Sequence, residues 1–337
     1  MEFLKRPFKR LRRGQRLALA WLAAVALLAL LAPILPLPYA AGVPDLAHVA
    51  EAPSWANRHW LGTDPRGGDV LSSLLCGART ALLLTLPAAL LAALLGGLAG
   101  GAAGFWGNRL RVSTPGSGLA VVALAWGAGA PPLALAVGAG TVGALWASQC
   151  LRQQPTTLAV PLDSLVLAAA SGLDTVPRLV LVLALVARGD LSVAGLGLVL
   201  GLTSWPGPAR QVRARMLAVR AWPFVEAARA SGLSSGRVWW RHALPHALSP
   251  LQTALPLSLA ALLALESTLS FLGVGLPPDV SSWGQQLAVA RQQPQAWWAV
   301  LFPALMLFVT MLSINAITAK SPSPTLSTAS PTGLPTT

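Results

Sequence analysis

Long apolar runs constrain this chain more than any other feature, because they recur from one end of the sequence to the other. A helix of about 20 apolar residues crosses the roughly 30 Å hydrocarbon core of a bilayer. Charged residues make up only 10% of the chain, against about 25% in an ordinary soluble domain. We therefore predict an all-α integral membrane protein with about six spans, at 17–37, 78–105, 161–187, 191–206, 251–272 and 297–317.

The positive charge of the chain is a signal of topology. The formal net charge is +13, and the basic residues form short clusters beside the apolar runs, chiefly in 1–16 and 207–250. Cytoplasmic loops of multi-span proteins carry such an excess of Lys and Arg. We predict a basic cytoplasmic N-terminus at 1–16, a retained first span and no nucleic-acid partner. The alternative for 17–37 is a secretory signal peptide cleaved near Tyr39, but the run is long for such a peptide.

The polar segments divide the rest of the chain. Residues 38–77 are predicted to form an external loop, 78–317 the transmembrane domain, and the Ser-, Thr- and Pro-rich 318–337 a disordered tail. Arginines flank the apolar stretch 113–157 on both sides, so it must cross the membrane an even number of times. It is either a thin hairpin or a re-entrant segment, whose free backbone groups would need cover from protein or water.

The second predicted span carries glycines at a four-residue spacing. Gly96, Gly100 and Gly104 form one such row, and Gly97 and Gly101 form another. Small residues at this spacing let two membrane helices approach closely. Glycine is also common in membrane helices that have no close partner, so close packing and simple tolerance both remain open.

The loop 207–250 contains signals for a short helix followed by a turn. Pro223 suits the first turn of a helix, where its missing N–H would be unpaired anyway. Glu226 in that turn favours the positive end of the helix. Gly232 can adopt the left-handed conformation that ends a helix.

A second short helix is expected after this turn. Ser234 or Ser235 can cap its start, and we expect it to run to Pro245, because proline inside a helix removes a hydrogen bond. The two helices would lie along the membrane surface. Since seven arginines fall within 207–250, a soluble partner could dock there.

Charged side chains inside the predicted spans are few. Glu266 lies in an apolar run, where a carboxylate either lines a solute path or serves as a structural hydrogen-bonding group between helices. The structural role is the favoured one. Asp174 and Arg178 stand four residues apart and could pair on one helix face or line a pore.

The sequence predicts no catalytic residues, metal site or bound cofactor. His242 and His246 have a metal-ligand spacing, but Pro245 lies between them and no third ligand is near. The three lysines stand outside any phosphate-binding loop. If ATP drives this protein, a partner subunit must therefore hydrolyse it.

Four ordered motifs resemble those of bacterial ABC importer permeases, most closely the dipeptide/oligopeptide/nickel group. They are HWLGTDPRGGDVLS at 59–72, SWPGPAR at 204–210, EAARASG with HALP within 226–245, and ESTLSFLGVG at 266–275. The resemblance covers about 1–112 and 158–317. Gly68 stands where the group usually has arginine, and Ala168 and Ser171 stand where its third span usually has arginine and aspartate. The stretch 113–157 has no counterpart that we can place.

The resemblance implies the transmembrane domain of a type I ABC importer, with 113–157 as an additional apolar segment. In such permeases a helix of the signature loop docks on a cytoplasmic ATPase subunit and transmits its closure to the spans. Ala227 and Ala228 would give that helix a smooth docking surface. The residues carried over to this coupling role are Glu226, Ala227, Ala228, Gly232, Leu244 and Pro245.

The partners implied by the resemblance are a second permease subunit, cytoplasmic ABC ATPase subunits that use ATP, and an external solute-binding protein. The chain would lie in the bilayer of a bacterial inner membrane, and its cargo would be peptides or a related solute such as nickel complexes. Three alternatives remain open: an ion-driven secondary transporter, a membrane-embedded enzyme and a degenerate permease that acts as an assembly partner.

Overall fold

The computed structural model describes residues 13–113, 157–186, 191–277 and 279–318. Within these ranges the chain is helical, apart from one two-stranded ribbon, isolated bridges and connecting loops. The helices are α1 (Arg13–Leu31), α2 (Val70–Trp106), α3 (Leu162–Thr175), α4 (Arg178–Val186), α5 (Val193–Ser204), α6 (Pro206–Val219), α7 (Pro223–Ala230), α8 (Ser235–Val238), α9 (Leu244–Ala247), α10 (Leu251–Phe271), α11 (Trp283–Ala290) and α12 (Trp297–Thr318). The strands are β1 (Leu110–Ser113) and β2 (Thr157–Val160).

Four helices, α1, α2, α10 and α12, are long and apolar enough to cross a membrane. The prediction of an all-α membrane protein is therefore confirmed. Helix α2 begins at Val70 rather than at 78, because the Asp69 carboxylate accepts a hydrogen bond from the Ser72 N–H at 2.9 Å and caps the helix. The predicted external loop 38–77 accordingly ends at Asp69.

The predicted span 161–187 is sharply bent. It consists of α3 and α4, whose directions differ by 82° across a short break, so the pair forms at most one broken span. Pro177 lies in the break, and a residue before proline avoids the helical conformation, as Val176 does here with ψ of 130°. The predicted span 191–206 contains α5, whose 12 residues are too few to cross a bilayer alone.

The chain forms two compact units, and each has its own core. The first contains 13–83, 256–273 and 279–318, and the second contains 84–255 and 274–277. In the first unit two buried tryptophans donate to backbone carbonyl groups: Trp283 Nε1 to Leu74 and Trp298 Nε1 to Thr63, both at 3.0 Å. These bonds satisfy the indole N–H groups, which would otherwise be buried without a partner.

In the second unit the glycines of α2 pack against its neighbours. An added Cβ at Gly100 would overlap the carbonyl group of Ala209 in α6. Gly96 and Gly104, one turn to either side, also face α6, where the nearest atoms to an added Cβ lie at 2.7 and 2.8 Å. Gly97, in the other row, faces leucine side chains beyond α9. Close helix packing therefore explains the spacing, and this alternative is confirmed.

The ribbon brings the two ends of the additional apolar stretch together. Strands β1 and β2 pair antiparallel, with Leu110 opposite Val160 and Ser113 opposite Thr157. The two ends thus lie side by side. The stretch 114–156 itself falls outside the described residues, as does the predicted tail from 319 onward, so the choice between hairpin and re-entrant segment stays a prediction.

Candidate functional site

The first short helix of the arginine-rich loop, α7, ends as the sequence predicts. Pro223 occupies its first turn, and Gly232 has a φ of +77°, which confirms the left-handed residue. The Gly232 N–H donates to the Arg229 carbonyl at 3.0 Å, and the Leu233 N–H donates to the Ala228 carbonyl at 3.4 Å. This pair of bonds is a Schellman motif, which stops the helix and fixes the direction of the following chain.

The second short helix differs from the prediction. It begins after Ser234, whose side chain makes no capping hydrogen bond, and it continues past the exposed Pro245 to the end of α9. A π-helical turn at Trp239–Ala243 separates α8 from α9, and the Leu244 N–H bonds to the Trp239 carbonyl five residues back. The wider turn has a physical reason, since in a regular helix the proline ring would clash with the carbonyl four residues earlier.

One face of α7 is buried within the second unit. Val225 and Ala228 join a cluster that includes Phe105 at the end of α2 and Met216 of α6. Leu244 of α9 belongs to the same cluster. The expectation that Ala228 contributes to an exposed docking surface is therefore wrong, because its spacing from Val225 places it on the inward stripe of the helix. Ala228 and Leu244 instead belong to the core that packs the loop against α2 and α6.

The opposite face of α7 is exposed, and we refer to Phe224, Glu226 and Ala227 as its outer face. The exposed surface continues to the turn at Gly232. Phe224 is 37% exposed, and Trp240 in the neighbouring π-helical turn is 61% exposed. The sequence interpretation overlooked these two aromatic side chains, although large apolar groups in a polar loop often mark an interaction surface.

Several arginines of the loop are held against neighbouring groups. The Arg229 guanidinium lies over the Phe105 ring and that of Arg215 lies over the Trp222 ring, each at 5.1 Å from the ring centroid. Arg220 donates to a backbone carbonyl of α2 at 3.1 Å. These contacts connect α7 and its flanking residues to the ends of α2 and α6, so the loop is part of a packed structure.

Comparison with known proteins identifies relatives of this chain. The family described as binding-protein-dependent transport system inner membrane component matches residues 140–320. A protein named as a peptide permease in Brucella suis biovar 1 (strain 1330) is 32% identical over 285 residues, covering 83% of this chain and 76% of that relative. The chain belongs to this permease family.

Two shorter matches are also to proteins named as peptide permeases. A second Brucella suis protein, named as a peptide transport system permease, is 36% identical over 156 residues, covering 46% of this chain and 53% of the relative. A protein of Sinorhizobium fredii named as a peptide ABC transporter permease is 33% identical over 156 residues, covering 46% of this chain and 54% of that relative.

The permease is thus a multi-pass membrane protein with the transmembrane domain of type I ABC importers. Since the family match begins at 140, part of 113–157 has a counterpart after all.

Two ion pairs join the bent pair of helices to α6 in this permease. Arg213 donates two hydrogen bonds to the Asp163 carboxylate, one of them at 2.6 Å, and Arg210 pairs with Asp174. The expected pairing of Asp174 with Arg178 is therefore wrong. The break at Pro177 separates these two residues into different helices, so they no longer share one helix face.

Glu266 of the permease lies in a buried pocket of serines. Its side chain is 1% exposed, and it accepts hydrogen bonds from Ser270 at 2.9 Å and Ser267 at 3.2 Å. Both serines are in the same helix, α10. Such an arrangement satisfies the polar atoms internally and favours the structural role over a solute-lining one.

Proposed function

We propose that this chain is the membrane-spanning permease subunit of an ATP-driven peptide importer in a bacterial inner membrane. A second permease subunit would complete the solute path, an external binding protein would deliver the peptide, and separate cytoplasmic subunits would hydrolyse ATP. This chain itself would carry no ATPase site and no cofactor. The names of its relatives support peptides as the cargo.

The two-faced geometry of α7 is the observation that carries the coupling proposal. Its outer face presents an acid, a small residue and an aromatic ring, which together suit a groove on a cytoplasmic ATPase subunit. The inward face packs on α2 and α6 through Val225 and Ala228. Close-packed interiors transmit displacement because they have little room to deform.

Force on the outer face has a direct route into α2, the candidate membrane span that ends in the second unit. Met216 of α6 and Phe105 of α2 share the cluster that buries α7. The Schellman motif at Gly232 fixes the angle between α7 and α8, so both short helices would move together. Closure of the ATPase subunits would thereby shift the ends of α2 and α6 and open the solute path.

Reversal of the charge on the outer face tests this proposal. Glu226 is exposed, and within the described residues its carboxylate makes no ion pair, so Glu226→Lys should leave the fold intact. A misplaced like charge at an interface costs several kcal/mol, and each 1.4 kcal/mol is about tenfold in affinity. We expect at least about a tenfold loss in co-purification with the ATPase subunits and a parallel loss of peptide uptake.

Glu226→Gln is the matched control, because it keeps the size of the side chain and introduces no opposing charge. It should lose less of both signals than Glu226→Lys. Uptake that persists at the wild-type level in Glu226→Lys, or that requires no ATPase subunit, would contradict the proposal and favour an ion-driven carrier.

A further inference from the structure

The loop that precedes α2 brings two histidines and a carboxylate together. His48 Nδ1 lies 2.9 Å from Asp45 Oδ2, and His59 Nε2 lies 3.5 Å from the same oxygen. One ligand atom from each of the three residues lies within 4.8 Å of the others. The sequence did not reveal this cluster, because its members lie in an irregular loop, where spacing along the chain does not predict which side chains meet.

We propose that Asp45, His48 and His59 form a binding site for a divalent transition-metal ion, with Zn²⁺ the best match. Imidazole nitrogen and carboxylate oxygen are the ligands that Zn²⁺ takes at about 2.0–2.2 Å, usually in tetrahedral geometry. Two such ligands are then about 3.4 Å apart. The observed separations of 2.9 and 3.5 Å between each imidazole and Asp45 lie on either side of that value. The ligand atoms of the two histidines lie within 4.8 Å of each other, so side-chain shifts would bring all three atoms to ligand distances.

The surroundings of His59 orient it as a metal ligand. Its Nδ1 lies 3.0 Å from Asp69 Oδ1, and the other oxygen of Asp69 accepts the Ser72 N–H at 2.9 Å. The Tyr39 ring stacks on the imidazole at 4.0 Å between centroids. A carboxylate that holds one ring nitrogen of a histidine fixes the tautomer and presents the other nitrogen to a metal. Here the presented atom is Nε2, which faces Asp45.

One of the three proposed ligands is buried, and the other two are partly exposed to solvent. The His59 side chain is 0% exposed, whereas those of Asp45 and His48 are 24% and 34% exposed. An ion could therefore enter from solvent and keep a fourth position for water, as zinc sites with three protein ligands do.

A bound ion would cross-link two parts of the loop. Asp45 and His48 come from its first half, and His59 comes from the segment that leads into α2. Because metal binds the assembled site and not the separated ligands, binding stabilises the folded loop. This site goes beyond the proposed transport function, and its failure would leave the coupling proposal unaffected.

The experiment uses the full-length permease, purified in detergent through a tag without histidine, stripped with EDTA and dialysed. Zinc content and affinity are then measured by elemental analysis and by competition with a chromophoric chelator. We expect one Zn²⁺ per chain and a higher melting temperature when Zn²⁺ is added. His48→Gln should weaken binding by at least about 100-fold, because the loss of an outer partner alone costs about 10–100-fold.

The choice of variants depends on how deeply each residue is buried. His59 is completely buried, and its replacement could unfold the loop, so the partly exposed His48 and Asp45 are the decisive positions. His246→Gln, in the exposed part of α9, should bind Zn²⁺ like the wild type. The proposal is overturned by a wild type without stoichiometric zinc, or by His48→Gln and Asp45→Asn with unchanged affinity. The proposal would also be overturned if His48→Gln and Asp45→Asn lowered the melting temperature by the same amount with and without Zn²⁺. Such a result would indicate that these side chains stabilise the loop by hydrogen bonds alone.

Discussion

Gly100→Ala should prevent this permease from assembling a stable second unit. An added Cβ would overlap the carbonyl oxygen of Ala209 and lie 2.8 Å from its carbonyl carbon. Both atoms belong to the backbone of α6, so no side-chain rotation can relieve the contact. Overpacking of a core commonly costs about 1–3 kcal/mol and sometimes more, and here the helices must separate along the whole glycine row. We expect a loss of monodisperse protein in detergent and a much lower melting temperature.

Two other glycines supply matched controls for this substitution. At Gly97 the nearest atom to an added Cβ is the end of the Leu248 side chain at 3.0 Å, which can move, so Gly97→Ala should have an intermediate effect. At Gly172 in α3 nothing lies within 4 Å, and alanine there should be neutral or slightly stabilising, because it favours the helix. If Gly100→Ala melts like Gly172→Ala, α2 and α6 do not pack as described.

Gly232→Val should uncouple transport while leaving the membrane helices folded. Nothing lies within 4 Å of an added Cβ at Gly232, so the harm comes from the backbone: φ is +77° there. The left-handed conformation costs an ordinary residue about 1–2 kcal/mol, and a β-branched side chain is a stronger outlier. The Schellman motif would rearrange and α8 would leave α7 at a different angle. We expect peptide uptake and ATPase co-purification to fall about tenfold or more.

The controls for Gly232→Val separate the backbone effect from added bulk. Gly236 in α8 is also exposed, and nothing lies within 4 Å of an added Cβ there, but its φ is not positive. Gly236→Val should therefore retain most uptake. Gly232→Asn should also retain most of it, because asparagine tolerates the left-handed conformation. Wild-type uptake and ATPase binding in Gly232→Val would refute the role of this turn.

The conformational preferences of single residues were predictable from the sequence, whereas the burial of side chains by distant helices was not. Pro223 and Gly232 carry their conformational preferences with them, so the limits of α7 could be predicted. The burial of Ala228 depends on α2 and α6, which come from distant parts of the chain. For the same reason the ion pair between Asp174 and Arg210 could not be predicted, because these residues come from separate helices.

The spans show a similar division. Apolar length alone predicted α2, α10 and α12 as long helices, since length and hydropathy determine whether a segment can cross a bilayer. Hydropathy did not reveal the 82° bend between α3 and α4. Pro177 did indicate a break, because proline interrupts a helix. The cluster of Asp45, His48 and His59 depends on how an irregular loop closes, for which no sequence period exists.

The central claim is that the outer face of α7 meets a cytoplasmic ATPase subunit, and site-directed labelling tests it most directly. Ala227 is exposed, and Ala227→Cys can be made in a chain whose two native cysteines, Cys76 and Cys150, are replaced by serine. Ala52, exposed in the loop before α2, supplies the matched control as Ala52→Cys.

A membrane-impermeant maleimide is then applied to right-side-out and inverted vesicles, with and without the ATPase subunits. We predict that Ala227→Cys reacts only from the cytoplasmic side and is protected when the ATPase subunits bind, whereas Ala52→Cys reacts from the other side and is never protected. Reaction of Ala227→Cys from the external side, or labelling that the ATPase subunits leave unchanged, would contradict the account.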